Sequence, residues 1–161
     1  MNPLDMDPLD RLRIQLELQE LNAAFTHHLD HGEIDALVDL FTEGAEYTHG
    51  ERCSSGRREI RRLFEARAAT GARTVRHLCS GLRIHIDGPE HARGTSVCLT
   101  FAHDGPAPVA NATVHLVADF LDSYARDETG RWRIARRHIE RIFVAPDNPG
   151  PVGLAPSRGP L

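Results

Sequence analysis

The feature that most constrains the fold is a change in hydrophobic periodicity at about Arg73. Beyond it lie four long segments that are rich in β-branched residues and alternate in polarity, which is the pattern of β-strands. Turn signals such as Asp104-Gly105-Pro106 separate them, so we expect antiparallel neighbours, and Gly81 is a predicted bulge or kink in the first. The predicted strands are residues 73–87, 92–103, 109–125 and 131–144.

Upstream of these strands the sequence predicts helices. Apolar residues recur every three or four positions over residues 8–30, and His31-Gly32 then supplies a left-handed cap. A shorter helix follows from Ile34, Glu46 to Thr48 form a short strand, and Ser55 caps a third helix that runs to about residue 69. The apolar stripe of the first helix comprises Leu12, Leu16, Leu18, Leu21, Phe25 and Leu29. Helices followed by long antiparallel strands predict an α+β fold, with the helices on one face of a bent sheet.

The chain has 161 residues, enough for one domain with its own core. We expect a single domain over residues 1–145 and a Pro/Gly-rich tail over 146–161 that is disordered or wraps the surface. A net charge of −4 argues against a nucleic-acid-binding protein. Three cysteines are too few and too scattered for a disulfide framework or a Cys-based metal site. The N-terminus lacks the pattern of a signal peptide and no apolar run could span a bilayer, so we expect a soluble, cytoplasmic protein.

Several short motifs occur in a characteristic order. They are residues 29–37 (LDHGEIDAL) with Phe41 and Ala45-Glu46-Tyr47, then 56–60 (GRREI), 76–80 (RHLCS) and 130–134 (GRWRI). In this order they resemble the SnoaL-like branch of the nuclear transport factor two-like superfamily, and the likeness covers about residues 8–144. The resemblance implies a cone-shaped barrel, in which a strongly bent, mostly antiparallel sheet wraps around N-terminal helices and encloses a pocket.

The same resemblance implies a catalytic site. Scytalone dehydratase, bile-acid dehydratases and hexachlorocyclohexane dehydrochlorinase share an aspartate near the end of the first helix and a strand histidine, and Asp30 and His77 occupy the matching positions. Tyr47 matches a pocket tyrosine of scytalone dehydratase. In that arrangement the aspartate orients the histidine as a general base, and the tyrosine stabilises negative charge on oxygen. Leu29 and Gly81 replace a tyrosine and an asparagine of those enzymes, so the resemblance implies the chemistry and leaves the substrate open.

From the residues alone, the favoured interpretation is that Asp30 simply ends a helix and that His77 packs in a strand; the resemblance is what favours a catalytic pair. Further substrate contacts are predicted from position. His28 lies one turn from Phe25 on the apolar side of the first helix, and Cys79 shares the parity of His77, although core packing would also explain a cysteine there.

The last two strands supply the remaining candidates. Phe120 and Asp122 belong to the alternating set of the third long strand that is predicted to face inward. Trp132, Ile134, Arg136 and His138 share one face of the last strand, so Arg136 or His138 could complete an anion-stabilising wall. For each arginine of this strand, however, a solvated or dimer-facing surface is the favoured expectation, namely for Arg133, Arg136, Arg137 and Arg141. The predicted substrate-binding residues are thus Phe25, His28, Cys79, Phe120, Asp122, Arg136 and His138.

A histidine cluster ends the first helix. His27 and His31 lie one turn apart, a spacing that can hold a metal, but His28 stands where the HExxH motif has glutamate. Histidines in a last helical turn also stabilise the helix dipole, and this is the role we expect, with no metal bound. No phosphate-binding loop, dinucleotide fingerprint or nucleophile elbow is present, so no cofactor is expected.

Together these residues predict a cofactor-independent lyase, isomerase or cyclase that acts on an apolar small molecule by Asp–His proton abstraction, with dehydration or a related elimination favoured. Two alternatives stay open: a non-catalytic small-molecule binding protein, and the small structural subunit of a ring-hydroxylating dioxygenase. Neither nucleic acid nor membrane is an expected partner. The uncovered face of a broad sheet predicts a homo-oligomer, either a dimer or a trimer.

Overall fold

The computed structural model describes residues 6–110 and 112–146. Three helices, α1 (Pro8–His31), α2 (Ile34–Asp39) and α3 (Gly56–Ala68), are interspersed with two shorter strands, β1 (Phe41–His49) and β2 (Arg52–Ser55). Four long strands follow: β3 (Arg73–Ile86), β4 (His91–Asp104), β5 (Val114–Arg126) and β6 (Trp132–Val144). The predicted α+β class is confirmed, and the predicted tail lies outside the described residues apart from Pro146.

All six strands form one curved, unclosed sheet in the order β2-β1-β6-β5-β4-β3. β1 runs parallel to β6, and the other neighbouring pairs are antiparallel. The sheet curves around α1, which contacts both β3 and β6. Because the barrel does not close, β2 and β3 remain as its two edges.

Phe25 fixes α1 to the inner face of the sheet. Its ring is fully buried, and its centroid lies 6.0 Å from that of Phe41, 6.4 Å from Tyr47 and 6.3 Å from Phe120. Burying an aromatic ring of this kind contributes about 1.5–3 kcal/mol to the free energy of unfolding. The C-terminal end of α1 is therefore held in a defined position over the sheet.

The buried stripe of α1 differs in part from the predicted one. Leu12 and Leu16 are exposed, because the stripe is continued toward the N-terminus by Ile14. Its members are Ile14, Leu18, Leu21 and Phe25, spaced by four, three and four. The predicted end of the helix is confirmed, since Gly32 has φ +69° in the left-handed region. Among the described residues, no helix is long and apolar enough to cross a membrane.

The long strands lie where the sequence predicts them, although β5 begins at Val114 rather than at residue 109. β1 is longer than the predicted strand of Glu46 to Thr48, and β2 was not predicted. The predicted bulge at Gly81 is confirmed. Gly81 has φ +66°, and the register of β3 against β4 shifts between Ser80 and Arg83.

A second bulge, which the sequence analysis did not predict, lies in β6. Ser123 of β5 pairs with Arg136, whereas the next residue, Tyr124, pairs with Ile134. Ala135 is therefore an extra residue on β6. One extra residue moves the side chains that follow it to the opposite face of the sheet, until a further register shift between Arg141 and Phe143 reverses the change.

The bulge overturns the predicted face of the last strand. Trp132 and Ile134 face the core before it, and Arg137 faces the core after it. Arg136 and His138 consequently lie on the outer face, so the prediction that they share the inner face with Trp132 is wrong. The expectation that Arg137 is solvated or dimer-facing is also wrong, since its side chain is fully buried.

Candidate active site

Asp30 and His77 are in direct contact although 47 positions separate them in the chain. The Nδ1 atom of His77 lies 2.6 Å from Oδ1 of Asp30, and the backbone N–H of His77 donates to Oδ2 at 2.9 Å. The two side chains are only 8% and 5% exposed. A carboxylate accepts hydrogen bonds and does not donate them, so Nδ1 carries the proton of the neutral ring. Nε2 is thereby left with a free lone pair and can act as a base.

Two local features bring this pair together. Asp30 lies in the last turn of α1, just before the Gly32 cap, and Phe25 one and a half turns earlier anchors the helix to the sheet. His77 lies on β3, an edge strand, whose N–H groups on the open side have no neighbouring strand. The Asp30 carboxylate accepts one of those N–H groups.

His77 lines a cavity of about 50 Å³ between the helices and the sheet, here called the inner cavity. This volume has room for a few water molecules. It shares Leu29, Arg67, Arg73 and Val75 with an outer cavity of about 250 Å³, which Asp30 also lines. Small-molecule sites usually measure about 300 Å³ or more. A ligand that reaches His77 would therefore extend from the inner cavity into the outer one.

Tyr47 lines the inner cavity together with His77. Its ring packs against Phe64 and Phe25 in the aromatic core. Burial raises the pKa of the Tyr47 phenol above its ordinary value, because the phenolate would lose its hydration. The hydroxyl therefore stays protonated at neutral pH and can donate a hydrogen bond to a negatively charged oxygen.

The fold places further polar residues in the inner cavity that the sequence analysis did not select. They are His49, Arg67, Arg73, Thr100 and His115. Two of them could have been predicted from strand alternation. His49 has the same parity as Tyr47 on β1, and Arg73 has the same parity as His77 on β3. His49 was missed because the first strand was predicted to end at residue 48.

Comparison with known protein families identifies the family to which this chain belongs. The sequence profile of the SnoaL-like domain matches residues 10–138. The chain belongs to the SnoaL-like domain family.

Solved structures of similar fold agree with this assignment. A candidate scytalone dehydratase from Novosphingobium aromaticivorans has 20% sequence identity to this chain and a TM-score of 0.75. The match covers 91% of this chain and 98% of the Novosphingobium chain. A Nostoc punctiforme protein of unknown function with a cystatin-like fold has 23% identity and a TM-score of 0.71, with 92% and 98% covered. ActVI-ORFA from Streptomyces coelicolor has 19% identity and a TM-score of 0.70, with 80% and 97% covered. Among curated proteins, none matches the sequence significantly.

The predicted substrate-binding residues are not all gathered at the two cavities of the SnoaL-like domain. Phe120 lines the inner cavity and His28 the outer one. Phe25 is packed behind the cavity wall, against Tyr47 and Phe120. Cys79 is exposed on the edge strand, opposite the buried Cys98 of β4.

Arg136 and His138 line a groove of about 540 Å³ on the outer face of the sheet, which is larger than either cavity at the Asp30–His77 pair. The ring of His138 bonds there to the Thr48 hydroxyl at 2.7 Å. This groove contains no part of the pair. The two residues are thus on the wrong side of the sheet to contact a ligand at His77.

Asp122 faces inward as predicted, but its carboxylate is bound by Arg137. Arg137 Nε and Nη2 donate to the two carboxylate oxygens at 2.8 and 2.7 Å, and the Tyr124 hydroxyl donates to one of them at 2.7 Å. The Arg137 guanidinium also lies 4.2 Å from the centroid of the Phe25 ring. Asp122 is therefore committed to a buried structural network beneath the aromatic core.

The histidine cluster at the end of α1 bonds mainly within itself. The His31 Nδ1 atom lies 2.7 Å from the His27 carbonyl oxygen, which is the helix-end role expected of it. The ring of His28 bonds to the Glu33 carboxylate, and ligating atoms of His27, His28 and Glu33 all lie within 4.8 Å of one another. Proximity to these histidines lowers the pKa of Glu33, chiefly through the bond to His28.

Proposed function

We propose that this SnoaL-like protein is a cofactor-independent enzyme that removes a proton from carbon in an apolar small molecule. His77 is the base, Asp30 its positioning partner and Tyr47 the donor to the substrate oxygen. The observation that carries the proposal is the Asp30–His77 bond, which leaves Nε2 as the free nitrogen of a ring that lines the inner cavity.

The reaction begins when His77 Nε2 takes a proton from a carbon next to a carbonyl group. The electrons of the broken C–H bond move to the carbonyl oxygen, and the resulting enolate is stabilised by a hydrogen bond from Tyr47. The imidazolium formed on His77 is stabilised by the ionised Asp30 carboxylate, which already accepts its Nδ1 proton.

The enolate then determines the product. In a dehydration, the enolate electrons re-form the carbonyl and expel a hydroxyl group from the β carbon, which takes the proton from His77 and leaves as water. In an isomerisation, the proton returns to a different carbon. In a cyclisation, the enolate carbon attacks a second carbonyl within the same molecule, and the alkoxide that forms takes the proton from His77. We favour dehydration or a related elimination, in keeping with the scytalone dehydratase resemblance and the candidate scytalone dehydratase among the structural neighbours.

The test is exchange of a carbon-bound proton with solvent. Cyclic ketones carrying a hydroxyl group β to the carbonyl would be incubated with the protein in D₂O, with loss of the α-proton followed by NMR and loss of water by absorbance. We expect both with the wild-type protein and a fall of about 10²–10⁴-fold in His77→Gln. His91→Gln, which changes an exposed histidine at the far end of β4, is the matched control.

Two results would count against the proposal. If His77→Gln exchanges the proton as fast as the wild-type protein does, His77 is not the base. Tight binding of the ketones without any exchange in the wild-type protein would instead support a ligand-binding protein that uses the same cavities.

A further inference from the structure

Both cavities at His77 are lined by the same two arginines, Arg67 from α3 and Arg73 from β3. Among the described residues, no aspartate or glutamate lines the inner cavity. The one carboxylate lining the outer cavity is that of Asp30, and both of its oxygens accept hydrogen bonds from His77. The charged groups around the region where the two cavities meet are therefore two guanidinium groups against one carboxylate, a net positive charge.

The two buried arginines of the described residues have carboxylate partners, unlike the half-buried Arg67 and Arg73. Arg137 is paired with Asp122, and Arg133 with Asp39 and Asp127. Within residues 6–110 and 112–146, neither Arg67 nor Arg73 lies within salt-bridge distance of a carboxylate. A buried charge without a counter-ion is costly, and proteins generally provide one.

The contacts that Arg67 and Arg73 do make are weak. Arg67 lies 5.9 Å from the centroid of the Phe64 ring, and Arg73 Nη2 lies 3.4 Å from His115 Nε2. The Nε atom of Arg73 is buried without a hydrogen-bond partner. Burial lowers the pKa of Arg67, and the positive charge of Arg73 adds to this effect. Both arginines line the same two cavities.

His49 adds to the inner cavity a second buried polar atom without a hydrogen-bond partner, its Nε2. Burial and the nearby arginines Arg141 and Arg67 lower the pKa of His49 to about 3, so its ring is neutral at physiological pH. A neutral imidazole can donate one hydrogen bond to an anion without adding a further charge.

We infer that the ligand of this site is an apolar carboxylic acid, whose carboxylate is bound by Arg67 and Arg73 where the inner and outer cavities meet. Guanidinium groups suit this role because their planar N–H donors match the two oxygens of a carboxylate. The apolar body of the ligand packs against Leu29, Val75 and Phe120, next to Nε2 of His77. The inference names the substrate class of the proposed enzyme and in that respect rests on the proposed function, although acid binding can be measured without turnover.

The experiment compares acids with their neutral amides. Binding of benzoate, 2-naphthoate and decanoate, and of the three corresponding primary amides, would be measured by isothermal titration calorimetry with the full chain. We expect at least one acid to bind about 10- to 100-fold more tightly than its amide, as befits hydrogen bonds to charged groups. Wild-type protein in which no acid binds more tightly than its amide overturns the inference, whatever the behaviour of the variants.

Variants then identify the residues that cause the tighter binding of acids than of amides. Arg67→Met and Arg73→Met should each remove most of it, and Arg76→Met, an exposed arginine of the same strand on the opposite parity to Arg73, should leave it intact. A preference that survives both Arg67→Met and Arg73→Met would also overturn the inference. His77→Gln separates the two proposals: acid preference retained without proton exchange supports the anion site alone, and exchange of neutral ketones without acid preference supports the proposed function alone.

Discussion

Asp30 holds His77 at two points, accepting one hydrogen bond from the ring Nδ1 and one from the backbone N–H. Both the rotation of the ring and the position of the strand that carries it are thereby fixed by a single carboxylate. Such double contact means that the orientation of the base and the local fold depend on the same residue.

Asp30→Asn should separate these two effects. The amide oxygen can still accept from the His77 N–H, but the amide NH₂ group would face Nδ1, so the ring is driven to the tautomer that carries its proton on Nε2. We expect proton exchange to fall by about 10²–10⁴-fold while the free energy of unfolding changes little. Nitrogen chemical shifts of His77 would report the tautomer directly, and unchanged shifts together with unchanged exchange would contradict the assigned role.

The two tyrosines of the chain provide a matched pair. Tyr47→Phe should lower the exchange rate by about 10²-fold, because the enolate loses a hydrogen-bond donor, with little effect on stability. Tyr124→Phe should do the reverse and cost about 1–3 kcal/mol in unfolding free energy, since its hydroxyl bonds to Asp122 and Asn22. Rates and urea unfolding curves of both variants test this, and equal rate losses in the two would argue against a specific role for Tyr47.

His49 should make stability depend on pH. Its pKa is lowered to about 3 in the folded protein, whereas an unfolded histidine titrates near 6.5. Between these values the unfolded chain binds the additional proton, so stability falls as the pH drops from about 6.5 toward 3. His49→Gln should reduce the slope of unfolding free energy against pH by up to about 1.4 kcal/mol per pH unit in this window. Parallel wild-type and variant slopes would show that His49 is not buried in its neutral form.

The Asp122–Arg137 pair should matter more for stability than an exposed pair of the same type. Asp122→Ala leaves the fully buried Arg137 without its counter-ion, and we expect a loss of about 3–5 kcal/mol. Asp87→Ala removes the partner of the exposed Arg93 and should cost about 1 kcal/mol or less. Chemical unfolding measures both losses, and similar values for the two variants would contradict this account.

The outer face of the sheet carries a row of apolar side chains through which a homo-oligomer would pack. This apolar row crosses β3, β4, β5 and β6, and each residue in it pairs with the next one on the neighbouring strand. Its members are Leu78, Leu99, Val117 and Phe143. Leu78 is 56% and Phe143 69% exposed. We propose that two copies pack through this row, so Phe143→Glu should yield monomers and Phe143→Leu should not, as measured by sedimentation velocity. A wild-type protein that is monomeric at every concentration would contradict the proposal.

Much of the fold could be predicted because its signals are local. The end of α1 at Gly32, the bulge at Gly81 and the inward set of β5 each follow from residue type or strand parity within a few positions. The bulge at Ala135 could not be predicted in this way, since alanine has no special backbone preference and the bulge arises from pairing with β5. Because of this bulge, Arg137 rather than Arg136 lies on the inner face of the sheet.

The candidate site was predictable only where a resemblance supplied long-range information. The resemblance selects His77 and Asp30 as candidates, whereas nothing in the sequence alone brings α1 against β3. Arg67 was missed because its charge, taken locally, favours a solvated helix face, whereas α3 turns it toward the space shared by the two cavities. Tertiary packing rather than sequence pattern decides such positions.

The place of His77 on an unpaired strand has a consequence for self-association. An open strand edge is a template on which another chain can add a strand and begin to aggregate. At His77 the N–H that such a strand would need is already bonded to Asp30. A chain adding to β3 past this point would have to displace the carboxylate and release the ring along with it. Addition of a strand at this point and orientation of the base are therefore mutually exclusive. The hydrogen bond to Asp30 that orients His77 also blocks aggregation through the edge of β3.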